Sequence, residues 1–153
     1  YLEKLHPEFI PYAKCFLWRV WTELGITIRI NSSYRSLAEQ KALHDAYIAR
    51  GRTGIPAARP GRSHHNFGLA IDFNPTLKAG NMVMSTASKA EWEASGIPSL
   101  ITSIGLYWGG YMRNYDPIHF DGSKLITEST SQLFARAKVE SVPNNQLEIQ
   151  LKV

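Results

Sequence analysis

Two five-residue segments constrain this chain more than any other feature: LAIDF at 69–73 and PIHFD at 117–121. Each alternates residue types with a period of two, the spacing of a half-buried β-strand. In the first, Leu69, Ile71 and Phe73 point to a core, while Ala70 and Asp72 share the opposite face. In the second, Ile118 and Phe120 form the apolar side, and His119 and Asp121 lie on the other. The chain must therefore hold strands whose open faces carry a carboxylate and an imidazole.

Around these strands the pattern changes to helical spacing. Residues 7–24 place Phe9, Ala13, Phe16, Leu17, Val20, Trp21 and Leu24 at steps of three and four, which predicts an amphipathic helix closed by Gly25. Pro7 suits its first turn, and Pro11 marks a kink or a later start. ITIRI at 26–30 alternates as a strand. Ser36 to Glu39 and Ser88 to Glu91 are capping boxes. The first opens a helix with Leu37, Leu43, Ala46 and Tyr47 toward a core and Gly51 as its stop; the second opens two short helices divided at Gly96 and Pro98. Residues 51–63 read as a surface loop, and a further loop of about a dozen residues follows LAIDF, with turns at Asn74-Pro75 and Gly80-Asn81. A last helix is expected at 130–140, with Leu133, Phe134 and Ala137 as its core stripe. Beyond the break at Val142-Pro143, QLEIQLKV alternates as a strand, leading back to the sheet or on to a partner or further domain. Helices and strands mix without the regular alternation of a parallel sheet, so the expected class is α+β.

The 153 residues suit one domain, with 1–141 as its body and 142–153 as a C-terminal linker and strand. No apolar run reaches the roughly 20 residues of a membrane helix, and no targeting signal stands at Tyr1. Cys15, the single cysteine, excludes an internal disulfide and is expected in a helix core. Seventeen Lys and Arg against thirteen Asp and Glu give a formal +4, which favours acidic partners without naming one. A nucleic-acid binder would rest on that charge alone.

The chemistry lies beside the two strands. Gly68 can take backbone angles closed to other residues and turn the chain so that His65 approaches Asp72. Taken alone, such a pair could be a hydrogen bond, a catalytic dyad or two metal ligands. The second cluster, Asp116-Pro117-Ile118-His119, tips the balance. Two histidines and an aspartate make a three-ligand set that leaves a fourth tetrahedral position for water, as a catalytic zinc needs. Asp116 is the candidate general base, its carboxylate turned by the Asp-Pro step, and Arg35 is the candidate oxyanion stabiliser.

Ser63 to Asp72, S-H-H-N-F-G-L-A-I-D, resembles the S-x-H-x-x-G-x-A-x-D signature of the D-Ala-D-Ala carboxypeptidase and L-alanyl-D-glutamate endopeptidase group of zinc peptidases. Asp116 to Phe120 resembles that group's acid-x-x-H motif, Tyr34-Arg35-Ser36 with Glu39-Gln40 its Y-R-S-x-x-E-Q segment, and Trp108-Gly109-Gly110 its W-G-G, over about residues 6–122. The resemblance implies the hedgehog/DD-peptidase fold, a small antiparallel sheet flanked by helices. It implies one zinc on His65, Asp72 and His119, Asp116 as base, Arg35 at the transition state, and Ser63, Gln40 and Trp108 in support or on substrate. It also implies action on peptidoglycan in the cell wall. Aspartate at 116, where carboxypeptidases usually carry glutamate, favours the endopeptidase over the carboxypeptidase. A zinc-stabilised binding module without catalysis is the alternative of another class.

Several other residues are expected to stay outside the chemistry. His64 falls off the signature and reads as a loop or substrate-facing residue, and His6 and His44 read as surface or capping residues. Arg50, Arg52, Arg59 and Arg62 read as a solvated loop that can also draw acidic wall polymers, and Trp108 and Tyr111 as packing or groove-lining aromatics.

Overall fold

In the computed structural model, which describes residues 2–76 and 87–140, the chain folds as two units. The first takes in Tyr1–Tyr34 and Gly68–Ile126, the second Arg35–Phe67 and Thr127–Val153.

The first unit carries the sheet. Helix α1, Ile10–Leu24, begins after Pro7 with Pro11 in its first turn, and Gly25 caps it at φ 65°. Its buried stripe is Ala13, Phe16 and Val20. Trp21 sits at the edge of that stripe and is 55% exposed, not buried as expected. Cys15 lies on the opposite side and is exposed, so the expected core position is corrected by its helical phase. Strands β1 (Thr27–Ser32), β2 (Ala70–Thr76), β3 (Tyr107–Trp108) and β4 (His119–Asp121) form one antiparallel sheet in the order β1-β2-β4-β3. Helices α3 (Lys89–Ala94, capped by Ser88) and α4 (Ile97–Ile104) follow the second capping box, divided by left-handed Gly96 as expected. The result is an α+β fold with a small four-stranded antiparallel sheet.

β2 runs on through Asn74-Pro75, where a turn was expected. The Phe73 N–H donates to Ile118 O on the β4 side, and Pro75, two residues on, turns its nitrogen the same way. The β4 pairing covers only Ala70–Asp72, so the missing donor of Pro75 falls past its end and costs no ladder bond.

An aromatic cluster locks the register of the two central strands. Phe73 and Phe120 lie 5.5 Å apart, each meets Phe16 of α1, at 5.6 and 4.6 Å, and Trp92 closes the group 5.9 Å from Phe73. All four are fully buried. Phe73 and Phe120 immediately follow the site candidates Asp72 and His119. Burying the ring on one face therefore fixes the polar side chain on the other.

Gly68 occupies a tighter place than a simple turn. Its φ is 67°, its carbonyl accepts from His6 N at 2.9 Å, and a Cβ there would stand 2.7 Å from that nitrogen. His6 is itself buried rather than on the surface, and its Nδ1 accepts from Glu8 N at 3.1 Å, a capping role. Gly68→Ala is expected to cost roughly 1–3 kcal/mol of stability, measured by urea unfolding; a wild-type midpoint would show that the contact yields.

The second unit holds helices α2 (Leu37–Ala49) and α5 (Thr130–Glu140). Ser36 caps α2, accepting from Glu39 N at 3.1 Å, as its capping box predicts. Half of the expected inner stripe of α2 is observed: Leu37 and Tyr47 are half-buried, whereas Leu43 is 45% exposed and Ala46 is exposed. The inner face is polar, with Gln40 buried and His44 and Tyr47 half-buried. Gln40 Nε2 donates to Ala58 O at 2.7 Å, and His44 Nδ1 lies 2.8 Å from Ala57 O, so this face anchors the loop after α2. In α5, Leu133 and Ala137 are buried, and Phe134 is half-buried against Gly61. The turn expected at Gly80-Asn81 and the strand QLEIQLKV lie outside the described residues.

Candidate metal centre

The first unit brings Asp72 and His119 together. They are partners in the β2–β4 register, and His119 Nδ1 stands 3.2 Å from Asp72 Oδ1. His119 is buried, with its side chain 8% exposed, and Asp72 keeps 20%. Both ring nitrogens of His119 face carboxylates, for Nε2 lies 3.0 Å from Asp121 Oδ2. Burial alone would lower the His119 pKa, but the hydrogen bonds and charges of Asp121 and Asp72 outweigh it and raise the pKa to about 9.

Asp116 belongs to the turn that delivers His119. His119 N donates to Asp116 O at 3.2 Å, and Asp116 N donates to Gly109 O at 3.1 Å. The turn lies so close to Gly109 that a Cβ there would overlap the Asp116 carbonyl and stand 2.9 Å from His119 Cβ. Trp108 is fully buried, and its Nε1 donates to Pro117 O at 2.8 Å, holding the same turn from inside. Tyr111, 48% exposed, packs edge-on against Trp108 at 5.1 Å.

The second unit groups Arg35, Gln40, Ser63 and His65. His65 and His64 belong to a one-turn 3-10 helix, His64–Phe67, in which His65 and Asn66 are buried. The backbone is joined to the start of α2: Arg35 N donates to His65 O at 3.0 Å, and Asn66 Nδ2 donates to Arg35 O at 3.0 Å. Gln40 Oε1 accepts from Arg35 Nη1 at 3.0 Å, and Ser63 Oγ accepts from His65 N at 3.3 Å.

The sequence reasoning gave no role to Asp121. It is 1% exposed, bonded to His119 through one oxygen and to Ser123 through the other. The alternation of PIHFD already put it on the face of His119; the signal was there, without a partner to give it meaning.

The donor chemistry fits a metal. Two ligands on tetrahedral zinc, each bound at about 2.0–2.1 Å, stand about 3.3 Å apart, close to the 3.2 Å between His119 Nδ1 and Asp72 Oδ1. Imidazole and carboxylate are donors zinc takes readily, and the chain's His and Asp residues include sets that could hold a metal ion.

Parts of the chain are similar to known peptidases. Residues 57–122 match the family described as D-alanyl-D-alanine carboxypeptidase. The chain is 29% identical over 97 residues to the peptidoglycan L-alanyl-D-glutamate endopeptidase CwlK of Bacillus subtilis, covering 60% of this chain and 57% of that protein. It thus spans little more than half the length of that relative. In structure it resembles the L-Ala D-Glu endopeptidase ChiX of Serratia marcescens, with TM-score 0.51 and 20% identity over 78% of this chain and 81% of that one. It also resembles the vancomycin resistance D,D-pentapeptidase VanY of a VanB-type cassette, solved with Zn(II), with TM-score 0.55 and 18% identity over 86% and 78%. The fold is thus of the hedgehog/DD-peptidase type. Over part of its length the chain is thus similar to D-Ala-D-Ala carboxypeptidases and to an L-alanyl-D-glutamate endopeptidase.

Proposed function

We propose that this chain is a zinc peptidase of the bacterial cell wall, cutting peptidoglycan stem peptides between L-alanine and D-glutamate. The observation that carries the reading is the Asp72–His119 pair, two metal donors at ligand spacing on paired strands. Aspartate at 116 and the names of CwlK and ChiX support the endopeptidase over the carboxypeptidase. A D-Ala-D-Ala carboxypeptidase is the second reading, supported by the family match.

His65, Asp72 and His119 would hold one zinc. The S-x-H-x-x-G-x-A-x-D spacing supports His65 as the third ligand, as does its burial on a turn that runs straight into β2 through Gly68. When bound, the ion supplies a Lewis acid and lowers the pKa of its water to about 7. Asp116 takes a proton from the attacking water and returns it to the leaving amine. Arg35 offers its guanidinium to the oxyanion that forms as the carbonyl is attacked. Gln40 holds Arg35 in one rotamer, Ser63 braces the His65 turn, and Trp108 braces the turn that carries Asp116.

Gln40→Ala, which removes one acceptor of the Arg35 guanidinium and the side-chain donor to Ala58 O, is expected to lower kcat roughly 10–100-fold at unchanged zinc content. An unchanged kcat would remove Gln40 from the site. The bond itself is tested by digesting purified sacculi and identifying new termini by mass spectrometry. New N-terminal D-glutamate is expected; release of D-alanine alone would select the carboxypeptidase, and no new termini would defeat both readings.

A further inference from the structure

Asp121 lies at the centre of three strands, its backbone in register with Ala70 of β2 and Tyr107 of β3, so its carboxylate is held in a fixed position. Oδ1 accepts from Ser123 N at 3.1 Å and from Ser123 Oγ at 2.6 Å. Oδ2, 3.0 Å from His119 Nε2, is thereby aimed at the imidazole. A carboxylate this buried is costly unless its oxygens are bonded, and here both are.

An ionised carboxylate only accepts hydrogen bonds, so the ring nitrogen facing it must carry the hydrogen. Nδ1 faces the other carboxylate, Asp72 Oδ1, which the zinc reading makes a metal ligand, so with the metal bound the lone pair is on Nδ1 and the hydrogen on Nε2. We infer that Asp121, braced by Ser123, is a positioning residue: it sets the His119 tautomer and ring orientation so that Nδ1 faces the metal. This rests on the zinc reading above. Carboxylates of this kind make a bound histidine more basic and hold its ring, and their loss typically weakens metal binding about 10–100-fold.

The test uses the full chain with 15N-labelled histidine, zinc affinity by chelator competition, and Asp121→Asn and Ser123→Ala, each checked for folding by near-ultraviolet circular dichroism. In the zinc-loaded wild type, His119, assigned by comparison with His119→Gln, is expected to be protonated at Nε2 and ligated at Nδ1. Asp121→Asn is expected to bind zinc roughly 10–100-fold more weakly and to lose the uniform Nδ1-ligated, Nε2-protonated signature of His119 in its zinc-loaded spectrum; Ser123→Ala is expected to lose about threefold or more. Folded Asp121→Asn that binds zinc as the wild type does, or ligation through Nε2, would overturn the inference. Should Asp121→Asn fail to fold, wild-type affinity in Ser123→Ala would overturn it instead. A wild-type chain that binds no zinc would overturn the zinc reading itself, and the inference with it. That result is read before any variant is made.

Discussion

Asp72→Ala is expected to leave the chain folded, with substoichiometric zinc and peptide hydrolysis lowered by about 10³-fold or more, since a bound metal supplies several kcal/mol of transition-state stabilisation. Asp72 is only half-buried, and His119 keeps its bond to Asp121 when Asp72 is gone. Zinc content by atomic absorption and hydrolysis of sacculi are measured on the same sample. The bland alternative is that Asp72 and His119 are simply a hydrogen-bonded pair in the sheet. That alternative predicts a small loss of stability and full activity in the folded variant.

Asp116→Ala should separate the base from the ligands. Its backbone carbonyl still accepts from His119 N and its N–H still donates to Gly109 O, so the turn that delivers His119 survives the loss of the carboxylate. Turnover is expected to fall about 10²–10⁴-fold with zinc bound at wild-type stoichiometry. Loss of zinc in this variant would make Asp116 a ligand, and unchanged turnover would remove it from the chemistry.

Asp72 and His119 are legible in the sequence because a strand alternates its side chains, whereas Asp116 is reached only through the Asp-Pro step before the second strand. In LAIDF and PIHFD the apolar members had to face a core, and the aromatic packing of Phe73 and Phe120 carries that requirement out. Capping boxes located α2 and α3 for a similar reason, since the bond that a serine Oγ accepts from an N–H three residues on is local. Expectations failed where the deciding contact was distant. Leu43 and Ala46 were assigned to a core, but the inner face of α2 is set by the carbonyls of Ala57 and Ala58, which Gln40 and His44 reach across 13 to 18 residues. Gly68 was read as a turn, and its closest constraint is the backbone of Leu5 and His6. Cys15 is placed in a core by residue type where helical phase turns it outward, and Trp21, placed by its spacing, falls at the exposed edge of the stripe. Asp121 stood on the correct face, but its meaning required Ser123, which reaches it only through the turn after β4.

The proposed hydrolysis requires a metal, so the central claim is tested by removing it. The purified chain is stripped with a strong chelator, dialysed, and assayed on sacculi before and after addition of one equivalent of zinc, with new termini read by mass spectrometry. The account predicts no cleavage by the stripped chain and recovery of D-glutamate termini at one zinc per chain. Cleavage that persists in the stripped chain, or that zinc does not restore, would contradict it.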